Sequence, residues 1–267
     1  MRPLGVIGHL SLDIVSGGEP QVGGGPWHAG RALRVLQQRA VVAVKCGPEE
    51  RAPFLQRLAA LGLPVSLVTA GTTTAFSFSY DAESRRTMAV EEIGEPWQPD
   101  EPPAQLLRRV EWLHVAPLLR GDFPLETLAP LARGRRILFD GQGLVRARQT
   151  GPLVLDADFD PALLRHIAIL KLAEEEARAI VGDADLSTLL ELGVPEVVVT
   201  FGLAGSLVLA RGVNQRVQAL PVDADPTGAG DAFSIAYLDA RAAGHGPLSA
   251  ARRATALVAA LLAGAPQ

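Results

Sequence analysis

Short apolar runs alternate with helical stretches along most of this chain, and that alternation restricts the fold more than any other feature. An apolar run at 41–45 precedes a helical pattern at about 51–61 and a second apolar run at 65–69. The same order returns as 112–115, a helix near 125–132, and 137–140. A third cycle joins 167–172 to a helix opening at Ala173. Runs this short and apolar suit strands buried on both faces. Their repetition with helices places them parallel in one covered sheet. The expected class is α/β.

The pattern breaks in two places. Residues 72–80 alternate apolar and polar side chains, turn at 81–84 and return over 86–90, as a hairpin with one wet face would. Residues 9–15 alternate in the same way. A chain of 267 residues accommodates one α/β domain with an ample core. The prolines at 96, 99, 102 and 103 punctuate a connector, not a domain boundary, because the alternation resumes at once. A formal net charge of −4 gives no electrostatic reason to expect nucleic acid. No apolar run reaches the ~20 residues of a membrane span, and the first residues read as a strand, not a signal-peptide core. No membrane partner is expected, and a cytoplasmic location is. Cys46 is the only cysteine, which removes intrachain disulfides and thiolate metal clusters; it reads as an inert buried thiol.

The chemistry gathers at Asp225-Pro226-Thr227-Gly228-Ala229-Gly230-Asp231, where a turn runs into a helix whose buried face repeats at Phe233, Ala236, Tyr237 and Ala240. Gly228, Ala229 and Gly230 then sit at a helix start, with unpaired N–H groups and almost no side chain in the way. Orphan amides and the helix dipole favour an anion there. Asp231 sets a carboxylate beside the same spot. That makes poor phosphate storage but good chemistry if a proton must leave a group attacking the phosphate. The reading is phosphoryl transfer to a hydroxyl. No G-x-x-x-x-G-K-[ST] string is present, and the glycines at 23–25 do not open a dinucleotide fingerprint.

Asp-Pro-Thr-Gly-Ala-Gly-Asp-Ala-Phe is similar to the C-terminal signature of the ribokinase-like (PfkB) carbohydrate kinases, and the resemblance spans the chain. It implies a three-layer α/β/α sandwich, with a mostly parallel central sheet, as a single domain over 1–267. A small β lid would form from about 12–22 and 72–92. It makes Asp231 the catalytic base and the amides of Gly228, Ala229 and Gly230 the anion hole. Asp13 would bind substrate hydroxyls, and Gly24 and Gly25 would let backbone approach the sugar. His28 stands in or near the place of a family Asn. Gln142, beside Asp140 at a strand's carboxyl end, is a further substrate-side candidate. Thr200, Gly202, Gly205 and Thr227 would approach the phosphates of ATP. Glu176 would hold Mg²⁺ through water, with Ala173 replacing the family's Asn, and Asp225 is a candidate K⁺ ligand.

Local strings such as Thr73-Thr74-Ala75-Phe76, the segment from Phe139 to Arg146, and Lys171-Leu172-Ala173-Glu174-Glu175-Glu176 look most like the myo-inositol kinase branch. The acceptor would be a sugar, polyol or nucleoside. A nucleoside kinase is the enzymatic alternative, supported if Phe76 or Phe78 faces the pocket. An ADP-dependent kinase and a catalytically silent sugar- or nucleotide-binding protein are the others. The family also suggests homodimers paired through lid strands.

Overall fold

The computed structural model describes residues 3–69, 71–80, 86–220 and 228–263. The chain opens with strand β1 (Leu4–His9), the short pair β2 (Ser11–Val15) and β3 (Gln21–Gly23), and helix α1 (Gly25–Leu36). α1 starts at Gly25, directly after the glycine run. Pro26 suits the first turn, where its fixed φ is helical and its missing N–H costs no bond. Next come β4 (Ala40–Cys46), α2 (Arg51–Ala59), β5 (Val65–Thr69) and the hairpin strands β6 (Thr74–Tyr80) and β7 (Arg86–Glu92). The alternation resumes through α3 (Ala104–Leu107), β8 (Trp112–Ala116), α4 (Leu125–Ala132), β9 (Arg136–Asp140), α5 (Gln142–Val145) and β10 (Gly151–Pro152). It continues with β11 (Ile169–Ala173), α6 (Glu174–Val181), β12 (Glu196–Thr200), β13 (Ser206–Ala210) and β14 (Val213–Val217). Helices α7 (Ala229–Ala242) and α8 (Pro247–Ala263) complete the described chain.

Nine of the described strands form one sheet in the order β14-β13-β12-β11-β9-β8-β1-β4-β5. Strands β12 through β5 run parallel, and β13 and β14 are antiparallel at one edge. β14 escaped sequence reading because its centre, Asn214 to Arg216, is polar and exposed; pairing with β13 defines it. Val6, Val42, Val44, Leu138 and Ile169 pack with α1, α2, α7 and α8 on one face. Ile7, Val115, Phe139, Leu170 and Val197 pack with α3, α4, α5 and α6 on the other. This is the expected three-layer sandwich.

A second sheet runs β10-β7-β6-β2-β3. It matches the expected lid segments and adds β10, whose two residues pair with Val90 and Ala89 from far along the chain. Its edge strands, β10 and β3, are short. Phe76, Phe78 and Val90 are buried in a cluster with Leu118 and Leu119, from the loop after β8. Asp122 holds that loop from beneath, accepting from the Leu118 and Leu119 amides at 2.7 and 3.0 Å and from Arg148 at 2.6 Å. Cys46 is buried, and burial pushes its thiol up to about 11, so it is inert as read. Among the described residues no helix is long and apolar enough to cross a membrane.

Because β1, β8, β9, β11 and β12 run the same way, their carboxyl ends share one edge of the sheet, where ligands of open α/β folds bind.

Candidate active site

α7 begins at that edge. Gly228 precedes it at φ +77, a left-handed conformation that glycine tolerates, and a Cβ there would meet His28 Nδ1 at 2.3 Å. Among the described residues no side chain caps the helix. Its first intrahelical bond among the described residues runs from Ala232 N to Gly228 O. The amides of Ala229, Gly230 and Asp231 therefore lack intrahelical acceptors at the positive end of the dipole. Replacing Gly228 by alanine should strain the turn and push His28 aside. We expect turnover to fall roughly tenfold to hundredfold with little loss of thermal stability, read by steady-state kinetics beside a melting curve.

Asp231, in the first turn of α7, faces a polar cluster set into an otherwise apolar sheet. On β8, β9 and β11 the residues that point to α7 near the strand ends are His114, Asp140 and Lys171 rather than aliphatics. Asp140 and Lys171 are direct partners in the parallel register. Lys171 Nζ lies 3.0 Å from Asp140 Oδ1, and His114 Nε2 donates to Asp140 Oδ2 at 2.8 Å. Ser234, one turn beyond Asp231 on α7, donates to the same oxygen at 3.3 Å. One ligand-type atom each from His114, Asp140 and Asp231 lie within 4.8 Å of one another. The Lys171 ammonium already supplies the cation for this cluster, and a divalent ion would have to displace it.

Burial, and then the charge of Asp140, push the Asp231 carboxyl above its ordinary range; His28, Lys171 and His114 offset part of this. Asp140 goes the other way. Burial opposes its ionisation, but the Lys171 charge and the His114 hydrogen bond overcome that and hold its carboxyl far below the usual range. Two neighbouring carboxylates are thus driven apart, one fixed as an anion and one made more basic. Sequence reading passed over His114 and Lys171. A cationic or polar residue inside an apolar strand covered on both faces, as in Ile169-Leu170-Lys171-Leu172, was the available signal.

The glycine run at 23–25 joins β3 of the second sheet to α1. A Cβ on Gly25 would lie 2.8 Å from Asp231 Oδ1 and 2.6 Å from the Ala116 side chain. A Cβ on Gly23 would lie 2.1 Å from Asp13 Oδ2. Asp13 and Asp231 therefore border the same three-residue segment, with Gly24 between, and a ligand there would meet one carboxylate from the second sheet and one from α7. Ser11 donates to Asp13 at 2.7 Å.

Gln142 opens α5 just after the carboxyl end of β9. Its amide nitrogen donates to the Pro117 carbonyl, so it ties the start of α5 to the loop after β8. Glu176 is 3% exposed and has partners at both oxygens: Ala173 N–H at 2.8 Å, closing the start of α6, and Arg146 at 3.3 Å. Thr200, Gly202 and Gly205 border a cavity of about 200 Å³ between the β12–β13 turn and α8. Ala229 and Gly230 form its inner wall, and Leu203, Leu220, Phe233, Val258, Ala259 and Leu262 make it apolar. Asp225 and Thr227 lie outside the described residues. Phe76 stands in register with Asp13 on β2 and β6, yet Phe76 and Phe78 are both buried in their own cluster, which lends the nucleoside reading no support.

A covered parallel sheet, a glycine-lined helix tip and a basic carboxylate at the strand ends together describe an enzyme built to move a phosphoryl group. The chain belongs to the pfkB family of carbohydrate kinases, whose model matches residues 12–266, and is a phosphotransferase with a hydroxyl acceptor. No curated protein matches it in sequence. Among solved structures it is similar to a pyrophosphate-dependent kinase of the ribokinase family, complexed with a pyrophosphate analogue and myo-inositol. That pair shares 23% identity over 97% of this chain and 94% of the other, with a TM-score of 0.84. A ribokinase from Thermotoga maritima shares 19% identity over 98% and 93% of the two chains, at a TM-score of 0.73. A nucleoside kinase from Burkholderia thailandensis, in complex with inosine, shares 19% over 97% and 90%, at 0.70.

Proposed function

We propose that this kinase transfers the γ-phosphate of ATP to a hydroxyl of a sugar or cyclitol, with myo-inositol the first acceptor to test. The juxtaposition of Asp231 with the glycine-lined tip of α7, uncapped among the described residues, carries the reading. The acceptor lies between Asp13 and Asp231, and its hydroxyl gives up its proton to Asp231 as it attacks. The amides of Gly228, Ala229 and Gly230 face the charge that spreads over the transferred oxygens. Each well-placed donor of this kind contributes on the order of 3 kcal/mol to the transition state. The second sheet acts as a lid that keeps water from competing as acceptor. Bound Mg²⁺ would neutralise the donor phosphates. Since Ala173 N–H and Arg146 already engage both Glu176 oxygens, that carboxylate suits a water-mediated role and not direct ligation.

The apolar cavity beside Gly230 supports a nucleotide donor, because a planar base has a dry slot next to the anion site, while the described residues that line the slot include no cation for a second phosphate. Pyrophosphate is the second reading, favoured by the described dependence of the similar kinase. One variant separates them. Ala259→Phe fills the slot and should raise KM for ATP at least tenfold, whereas turnover with pyrophosphate should be unchanged. The screen pairs both donors with polyols, sugars and nucleosides. No transfer in any pairing, with ligand binding intact, would leave a silent binding protein.

A further inference from the structure

Asp231 has a cation close at hand and does not pair with it. Among the described residues no hydrogen bond or ion pair engages its carboxylate. Lys171 Nζ, which would lie only 3.1 Å from a Cβ on Gly230, points its bond at Asp140 instead. Asp140 is 1% exposed and takes donors from three elements: His114 on β8, Lys171 on β11 and Ser234 on α7. Such a cluster is costly to bury, and cheaper apolar residues would fill the same volume. Stability alone gives the sheet no reason to carry it under the helix tip.

We propose that Asp140 is a positioning residue that holds the Lys171 ammonium to itself, leaving the Asp231 carboxylate unpaired and able to take a proton. The inference rests on the reading of Asp231 as the base. Without the Asp140 charge, Lys171 would be left to the other two carboxylates that act on it, Glu176 and Asp231. Glu176 is already engaged by Arg146 and the Ala173 amide, and a salt-bridged Asp231 is a poor proton acceptor. Without Lys171, two anions would face each other with only the histidines to moderate them.

The groups that face Asp231 are His28 from α1, His114 from β8, Asp140 from β9 and Lys171 from β11. Glu176, from α6, acts on Lys171. The signs follow from the charges. Asp140→Asn removes a repelling anion and frees a cation, so the Asp231 carboxyl titrates lower. Lys171→Met removes an attracting cation, so it titrates higher. A group needed only for packing would lower stability and rate without moving the titration either way.

The test measures kcat/KM against pH for the wild type, Asp140→Asn, Lys171→Met and the double variant. The Asp231 carboxyl is followed separately by ¹³C NMR with labelled aspartate, its signal identified by its absence in Asp231→Asn. We expect the acid limb and the carboxyl titration to move down in Asp140→Asn and up in Lys171→Met, each by about one pH unit or more. The double variant should return close to the wild type. In the wild type itself, Asp231 should titrate above the ordinary carboxylate range and Asp140 below it, a measurement that needs no variant to fold. Titrations that stay put, or shift the same way in both single variants, overturn the proposal. If the carboxyl titration shifts oppositely while the acid limb stays fixed, the charge relation stands and Asp231 is not the base.

Discussion

Asp231→Asn should leave a folded protein that binds acceptor and donor but turns over roughly 10²–10⁴-fold more slowly, the usual worth of a positioned general base. The amide keeps the size of the carboxylate and cannot accept the proton. The same change should not cost stability. Burial and Asp140 raise the Asp231 carboxyl, so the folded chain holds that proton more tightly than the unfolded chain does. Above the raised value the ionised carboxylate therefore works against folding, and the asparagine removes that cost. Melting temperatures at neutral pH should be equal or higher in the variant. In the wild type, activity is present above the raised value and fades as pH falls through it. Steady-state kinetics with calorimetric binding of the acceptor checks the first point. A turnover within threefold of wild type would remove Asp231 from the chemistry.

The second large effect is one of stability. Asp122 is 1% exposed and satisfies the amides of Leu118 and Leu119 as well as Arg148, with His9 Nδ1 at 3.3 Å. Arg148 also donates to the Gly94 carbonyl, at the exit of β7. Asp122→Ala strands a guanidinium and two amides in a region with little water. Breaking a buried ion pair on one side costs roughly 3–5 kcal/mol, which for a chain of this size lowers the melting temperature by on the order of 10 °C. Since Leu118 and Leu119 form the floor under Phe76 and Phe78, acceptor KM should rise as well. Thermal melts with acceptor titration would show both, and a melt within 2 °C of wild type (about 1 kcal/mol or less) would mean that this carboxylate holds nothing down.

The α/β class, the hairpin at 74–92 and the helix tip at 228–231 were all legible in the chain because each rests on local chemistry: periodicity, turn residues and small side chains before an amphipathic run. β10 and β14 were not. Their sequences carry no period of their own, and only a partner strand makes them strands. Gln142 and Glu176 show a second limit. Residue type cannot reveal whether an oxygen or nitrogen already has a partner, and the Gln142 amide nitrogen and both Glu176 oxygens are engaged by the chain itself.

By itself the sequence determined that a parallel sheet would end beside an exposed helix dipole carrying a carboxylate, since spacing and glycine placement are properties of a short segment. Tertiary structure alone decided how basic that carboxylate is. Asp140, Lys171 and His114 come from three strands separated by dozens of residues, and only the parallel register gathers them beside Asp231, with His114 and Asp140 atoms within 4.8 Å of its carboxylate. Electrostatic effects depend on distance and burial, and neither is written in the order of the residues.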